Sequence, residues 1–159
     1  MKLYCLDERQ CLPISIPEAW SFFSDPGNLP RITPPSLKLE ITSETPEKMY
    51  AGMIITYRVS PLLGIPMDWV TEITHVDEPH LFIDEQRSGP YRFWHHQHHF
   101  QEISGGVEIR DIVHYALFIG PIAGIINALI VRNQVREIFA YRRRYLEKTF
   151  GTLSCNEDD

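Results

Sequence analysis

The segment YRFWHHQHHFQEISGGVEIRDIVHYALF, residues 91–118, decides the fold class of this chain. Apolar and polar residues alternate along both halves of the segment, and Gly105-Gly106 between the halves is typical of a hairpin turn. A short connection of this kind joins neighbouring strands that run in opposite directions. The segment therefore predicts two adjacent antiparallel strands at residues 91–103 and 107–118.

Histidines dominate the first of these strands, which holds four of the seven in the chain. Because successive strand residues point to opposite faces, imidazoles must lie on both sides of the sheet. One face carries Trp94, His96, His98 and Phe100, and the mirror face carries Phe93, His95, Gln97 and His99. On the second strand the odd-numbered face is the more apolar one, through Val107, Ile109, Val113 and Leu117. We expect this odd-numbered face and the Trp94 face to point inward, with the mirror face of the first strand as the alternative.

Turn signals divide the rest of the chain into elements. A first strand within residues 1–15 ends near Pro13, and two short helices follow, the first with Pro17 in its first turn. Further strands precede the histidine strand, at residues 37–41, 52–59, 67–76 and 81–87. This order predicts an α+β fold with a curved, seven-stranded antiparallel sheet.

The last element is a long helix that begins at Pro121 and ends near Phe150. At 1.5 Å per residue it is about 45 Å long, and we expect the sheet to wrap around it. Its first half is apolar nearly all round, which requires a second partner such as a pocket, another subunit or a membrane surface. One sector forms a stripe that is expected to be buried, made of Gly124, Ala128, Val131, Val135, Ile138, Phe139, Arg142 and Leu146.

Length and charge set the class of the protein. The 159 residues suit one domain, 1–151, followed by an acidic tail at 152–159 that is expected to be disordered. The net charge of −6 argues against a nucleic-acid partner. No run of about 18 apolar residues is present, so integral membrane insertion is not expected. The basic residues of the long helix fan out around it and are expected to be solvated; they are Arg132, Arg136, Arg142, Arg143 and Arg144.

The cysteines and the N-terminus favour a cytoplasmic protein. Cys5, Cys11 and Cys155 are an odd set whose spacing matches neither a zinc motif nor CxxC, which suits a reducing compartment. We expect Cys5 and Cys11 to be strand residues and Cys155 to be a tail thiol. The first residues pass directly into a strand pattern without the features of a signal peptide, so the cytoplasm is the expected location.

Several motifs in the second half of the chain resemble a known superfamily. They are Trp94-x-His96-x-His98-x-Phe100, Gly105-Gly106, Asp111-x-Val113-x-Tyr115 and Ile138-Phe139-x-Tyr141-Arg142. Together with the order of elements, they resemble the START-related superfamily of helix-grip proteins, also called SRPBCC, and within it a bacterial single-domain branch. Members of this superfamily include the Bet v 1-like birch pollen allergens, START lipid-transfer domains and bacterial polyketide cyclases.

The resemblance implies a helix-grip fold with a cavity between the sheet and the long helix. Such a cavity accepts a hydrophobic or amphipathic small molecule, lipid-like or polyketide-like, and binding or transport of that molecule is the expected function. Ligand cavities are mostly apolar with a few placed polar groups, which the two alternating strands supply. The residues expected to contact the ligand are Trp69, Trp94, His96, His98, Phe100, Ile109, Asp111, Val113, Tyr115, Val131 and Val135.

An enzyme similar to the polyketide cyclases and dehydratases is the alternative function. His96 or His98 beside Asp111 can serve as general acid or base. Tyr115 or Arg58 can polarise a bound carbonyl oxygen. The chain contains neither GxGxxG nor a P-loop, so no nucleotide cofactor is expected.

Metal binding is the third role considered for the histidines. Two imidazoles at positions i and i+2 can share an ion, with Asp111 as third ligand, but no further ligand stands at a spacing that guarantees convergence. We therefore expect neither a metal nor another cofactor, and pocket histidines that bond to Asp111, Tyr115 or a ligand. Asp84 and Glu85 are consecutive on a strand and point apart, which disfavours a carboxylate pair.

An apolar connection lies between the strands at 52–59 and 67–76. Leu62, Leu63 and Ile65 occupy it, and the helix start adds Ile122. Connections are normally polar, so this composition predicts a lid, a homodimer contact or a peripheral membrane contact.

Overall fold

The computed structural model describes residues 2–62, 64–118 and 123–155. The strands are β1 (Tyr4–Leu12), β2 (Glu40–Ile41), β3 (Met53–Leu62), β4 (Ile65–Asp77), β5 (Leu81–Ser88), β6 (Phe93–Ile103) and β7 (Gly106–Ala116). The α-helices are α1 (Ile16–Phe23) and α2 (Ala123–Phe150), and two short 3₁₀ helices span Pro26–Ile32 and Pro35–Leu37.

The seven strands form one open antiparallel sheet in the order β1-β7-β6-β5-β4-β3-β2. Gly105, with a φ of 85°, forms the turn that places β6 beside β7, as the sequence predicts. With the long C-terminal helix, this is a helix-grip α+β fold, and that prediction is confirmed. The predicted stripe on α2 is buried at Val131, Val135, Phe139, Arg142 and Leu146.

Local sequence signals account for α1. Ser15 is its N-cap, and the Oγ of Ser15 accepts a hydrogen bond from the backbone N–H of Glu18 at 3.3 Å. A proline in the first turn loses no intrahelical hydrogen bond. The helix buries Trp20 and Phe23 against β6, where Trp20 meets the ring of Phe100 edge-on. It thereby anchors one end of the sheet.

Two strand predictions need correction. The strand expected at 37–41 is reduced to Glu40–Ile41, because the 3₁₀ helix Pro35–Leu37 occupies its start and Lys38 has a left-handed φ of 47°. The apolar loop expected at 61–66 is instead the end of a hairpin. β3 continues to Leu62 and β4 begins at Ile65, and Gly64, at a φ of 72°, lies in the turn.

Cys5 and Cys11 lie on β1 as predicted, but the prediction of a free tail thiol at Cys155 is wrong. Cys11 at the end of β1 is bonded to Cys155, and their Cα atoms lie 5.4 Å apart, while Cys5 is free and exposed. Leu153 forms a β-bridge with Cys11, so this part of the predicted tail lies against β1. Disulfides persist mainly in oxidising compartments. The bond therefore argues against the reducing setting that the cysteine spacing favours, and the location of the protein stays a prediction.

Within the part of the chain that the structure describes, no helix combines the length and apolar character that crossing a membrane requires.

Candidate functional site

A cavity of about 150 Å³ lies between the sheet, α2 and the first 3₁₀ helix. Most of its wall is apolar and comes from β3, β4, β5, the short helices and the connections on either side of β2, through residues such as Ile32, Leu39, Met49, Ile55, Ile73 and Phe82. Charged and titratable side chains join this wall where β5 and β6 face α2, and they are Asp84, His96, His98 and Arg142.

Strand alternation brings the two histidines into this wall. His96 and His98 are 4% and 6% exposed, and Trp94 and Phe100 on the same face are also buried. The opposite face of β6 is the exposed or half-buried one. The expectation that the Trp94 face points inward is confirmed.

The outward histidines form a separate network on the other face. His95 Nδ1 lies 2.8 Å from Glu85 Oε1, and Gln97 bridges His95 and His99 through hydrogen bonds of 3.1 and 2.9 Å. The four imidazoles therefore belong to two unconnected environments.

Two carboxylates enclose the inward pair of histidines. The register places Asp84 of β5 opposite His96, and Asp111 of β7 opposite His98. Asp84 Oδ2 lies 2.8 Å from His98 Nε2 and 3.4 Å from His96 Nδ1. Asp111 Oδ1 lies 2.8 Å from His96 Nε2 and 2.9 Å from His98 Nδ1, although this last approach does not have hydrogen-bond geometry. Each imidazole thus has one nitrogen near each carboxylate.

Arg142 of α2 completes the cluster from the opposite side. Its Nη1 donates to both carboxylate oxygens of Asp111 at 3.2 Å, and its guanidinium lies over the ring of Phe139. The side chain is buried, so the prediction that it belongs to a solvated helix surface is wrong. The cause is its position on the buried stripe of α2, directly opposite the carboxylate of β7.

Burial and neighbouring charge shift the pKa values of the two histidines in opposite directions. Burial, and then the charge of His98, lower the pKa of His96 to about 4. Burial also acts to lower the pKa of His98, but its interactions with Asp111 and Asp84 outweigh burial, and the pKa of His98 is raised. The imidazole that takes up a proton first is therefore that of His98.

Both carboxyl groups of the cluster remain ionised for the same reason. Burial acts to raise their pKa values, but interactions with His96 and His98 lower the pKa of Asp84, and the charge of Arg142 holds the pKa of Asp111 well below its usual range. Two anions, the Arg142 guanidinium and one imidazolium then balance in charge. Such balance is what allows ionised groups to remain buried.

Three further polar groups lie near the cluster. Burial, and then the negative charge of Asp84, raise the pKa of Tyr57, whose side chain lines the cavity as a neutral phenol. The indole Nε1 of Trp69 and the Nε of Arg142 are buried without a hydrogen-bond partner within the described residues, and both side chains line the cavity. Both nitrogens are donors whose hydrogen-bonding capacity is unused among the described residues.

The structure brings only part of the predicted contact set to the cavity. Trp69, Trp94, His96 and His98 line it. The others are buried outside its lining, namely Phe100, Ile109, Asp111, Val113, Tyr115, Val131 and Val135. Contact of any of these residues with a ligand stays a prediction.

The two residues predicted to polarise a ligand carbonyl, Tyr115 and Arg58, lie outside the cavity wall. The ring of Tyr115 stacks on Tyr4 at 5.4 Å, and in the described structure it makes no hydrogen bond to a histidine. Arg58 is more than half exposed and lies 3.6 Å from Asp68 on the outer face of the sheet. Tyr115 lies opposite Trp94 in the register, and Arg58 lies on the exposed face of β3, so neither lines the cavity in which it was expected to polarise a ligand oxygen.

Asp84 is the residue that sequence reasoning missed. Asp84 and Glu85 do point to opposite faces, as predicted, but Asp84 contacts the same two inward histidines as Asp111 does. A signal was present, since Phe82 and Asp84 share the inward face of β5. Only the register of β5 against β6 shows that this carboxylate meets the histidines.

The role predicted for the apolar connection at residues 61–66 stays a prediction. Ile65 is 59% exposed at the start of β4, whereas Leu63 and Ile122 lie outside the described residues. The lid, homodimer and membrane interpretations stay predictions.

Solved structures with this fold come from bacteria and plants. TTHA0849 from Thermus thermophilus superposes with a TM-score of 0.67 at 19% identity, covering 91% of this chain and 95% of that one. CV1439 from Chromobacterium violaceum gives 0.70 at 10% identity, covering 94% and 99%. The ginseng major latex-like protein 151 from Panax ginseng gives 0.65 at 14% identity, covering 93% and 97%. At these identities the likeness establishes the fold alone.

Sequence comparison shows the family to which the chain belongs. Among curated proteins none matches it. A family model described as polyketide cyclase / dehydrase and lipid transport matches residues 12–139, which include β2 to β7 and every residue of the charged cluster except Arg142. The resemblance to the START-related, Bet v 1-like superfamily is thereby confirmed, and the chain belongs to the polyketide cyclase / dehydrase and lipid transport family.

Proposed function

We propose that this protein binds a hydrophobic or amphipathic small molecule in the cavity between the sheet and α2. The observation that carries the proposal is an apolar cavity with charged and titratable groups gathered on one part of its wall. That combination gives affinity through the apolar wall and orientation through the polar groups. Family membership supports it, since the family covers lipid transport as well as cyclisation.

The size of the cavity limits what fits without movement of its walls. About 150 Å³ is comparable to an apolar protein cavity that holds benzene. We infer a compact ligand, one or two rings or a short chain, with larger lipids or polyketides requiring the short helices to open.

The chemistry of the polar wall specifies the ligand further. Trp69 Nε1 and Arg142 Nε are buried donors without protein partners among the described residues. A buried donor left unpaired costs about 1–3 kcal/mol, so a ligand that supplies an acceptor oxygen gains by pairing with it. The inferred ligand is an apolar body that carries a carbonyl, phenolic or carboxylate oxygen.

Native mass spectrometry of the purified protein tests for such a ligand directly. A panel of small phenols, short fatty acids, sterols and aromatic polyketides, added singly, is expected to include compounds that raise the melting temperature. If no molecule co-purifies and no class on the panel raises the melting temperature, the proposal fails.

Trp69→Phe tests the orienting donor while it keeps an aromatic ring in place. We expect affinity for an oxygen-bearing hit such as 2-naphthol to fall about tenfold, the equivalent of one hydrogen bond. The matched control is Trp20→Phe, because Trp20 is buried outside the cavity lining. Equal affinity in the two variants contradicts the orienting role of Trp69.

A second candidate function is catalysis of the cyclase or dehydratase type on the same bound molecule. The observation that favours it is His98, held between two carboxylates on the cavity wall. In that case His98→Asn abolishes turnover of a polyketide-like substrate while affinity for the substrate changes little. Parallel loss of turnover and affinity supports binding as the function.

A further inference from the structure

We propose that Asp84, His96 and His98 form a binding site for a divalent transition-metal ion at the cavity wall. The three side chains come from two adjacent strands, β5 and β6, so the register of the sheet holds them in place. The proposal does not depend on the function proposed above.

The spacing of the donor atoms is that of a metal polyhedron. Asp84 Oδ2 lies 2.8 Å from His98 Nε2 and 3.4 Å from His96 Nδ1, and the three donor atoms all lie within 4.8 Å of one another. Ligands that surround one ion at about 2.1 Å are about 3.0 Å apart at right angles and about 3.4 Å apart at the tetrahedral angle. The two separations that involve Asp84 are close to these edges, and the third lies within 4.8 Å, so the three donors can surround one ion after side-chain adjustment.

The outer partners of the ligands also have the arrangement of a metal site. The nitrogen of each imidazole that does not face Asp84 lies near Asp111 Oδ1: His96 Nε2 is hydrogen-bonded to it at 2.8 Å, and His98 Nδ1 lies 2.9 Å away without hydrogen-bond geometry. Metal-binding histidines usually direct their second ring nitrogen to a carboxylate, which fixes the tautomer and the ring orientation. Arg142 in turn fixes the Asp111 carboxylate.

The donor set indicates the class of ion and of any further ligand. Two imidazoles and one carboxylate suit iron(II), cobalt(II) or zinc(II) and leave coordination positions open toward the cavity. With neutral imidazoles, the two carboxylates and Arg142 sum to a charge of −1, and a divalent ion changes this to +1. An anionic oxygen then restores neutrality. That last ligand is the only part that rests on the proposed function.

Cobalt(II) added to EDTA-treated protein without a histidine tag tests the site. We expect one ion per chain by calorimetry and a visible absorption band of cobalt bound to nitrogen and oxygen. Asp84→Asn and His98→Ala should each weaken binding at least a hundredfold, and Asp111→Asn should weaken it about ten- to a hundredfold as an outer partner. The matched control is His99→Ala, on the outward face of the same strand, which should bind as the native protein does.

The proposal is overturned if the native protein binds no stoichiometric cobalt, or if Asp84→Asn and His98→Ala bind it as tightly as the native protein. Should either variant fail to fold, a crystal of the native protein soaked in cobalt decides. Anomalous density within about 2.3 Å of all three donor atoms supports the site, and density elsewhere or none overturns it. Small-molecule binding by EDTA-treated protein is measured separately, so either proposal can fail alone.

Discussion

Asp111 is the residue on which the charged cluster depends. Burial alone would favour its neutral form, but the guanidinium of Arg142 and the two imidazoles hold its pKa well below the usual range. The sequence suggests the meeting of Asp111 with the histidines, because one hairpin joins their strands. Arg142 is different, since it lies 31 positions further along the chain. Its pairing depends on how the helix crosses the sheet.

Replacement of Arg142 by methionine is expected to destabilise the protein strongly. The change keeps most of the side-chain volume but leaves the Asp111 carboxylate buried without its cation, which costs about 3–5 kcal/mol in the free energy of unfolding. Urea denaturation measures this. The matched control is Arg110→Met, which removes the solvent-exposed ion pair with Asp7 and should change the stability far less, because water screens exposed ion pairs. Similar losses in the two variants contradict a dominant role for the buried pair.

At the scale of the element, alternation along β6 divides its side chains into an inward set and an outward set with different partners. Its inward side chains pack against α1, α2 and the cavity, while the outward ones pair with Glu85 and with one another. Phe100 packs against the rings of Trp20, Phe23 and Phe82, whereas Phe93, seven residues earlier on the other face, is 38% exposed. The period of two in the sequence is sufficient to predict this division.

Phe100→Ala and Phe93→Ala therefore form a matched pair on one strand. The first should lower the free energy of unfolding by about 3–5 kcal/mol, because it opens a void in the aromatic core. The second should lower it by less than about 1 kcal/mol, since little buried surface is lost. Chemical denaturation of both variants measures the difference, and a reversed order would mean that the strand faces are assigned incorrectly.

At the scale of the whole molecule, the disulfide joins the two ends of the fold. Cys11 on β1 and Cys155, beyond the end of α2, are 144 positions apart in sequence. The bond therefore restricts almost the entire unfolded chain. β1 is also an edge strand of the sheet, and the Leu153 bridge to Cys11 places a segment beside that edge.

Reduction of the Cys11–Cys155 bond should lower the free energy of unfolding by about 2–5 kcal/mol. Urea titrations with and without a phosphine reductant measure the change, and Cys155→Ser should reproduce it without reductant. Cys5→Ser is the control, because Cys5 is free and exposed. Unchanged stability on reduction, with loss of the bond verified by mass spectrometry, contradicts a stabilising role.

The sequence by itself determines the architecture and the direction in which most side chains point. Strand alternation, the Gly105-Gly106 turn and Pro17 in a first helical turn are local signals, so they predict the sheet, the inward histidines and α1. β2 is shorter than the strand predicted at 37–41, because the 3₁₀ turn before it overrides the alternating pattern. Tertiary structure alone decides that Asp84 meets the histidines, that Arg142 is buried against Asp111 and that Cys11 meets Cys155. The reason is physical: period and turn chemistry act over a few residues, whereas register between strands and the crossing of helix over sheet are set by packing of the whole core.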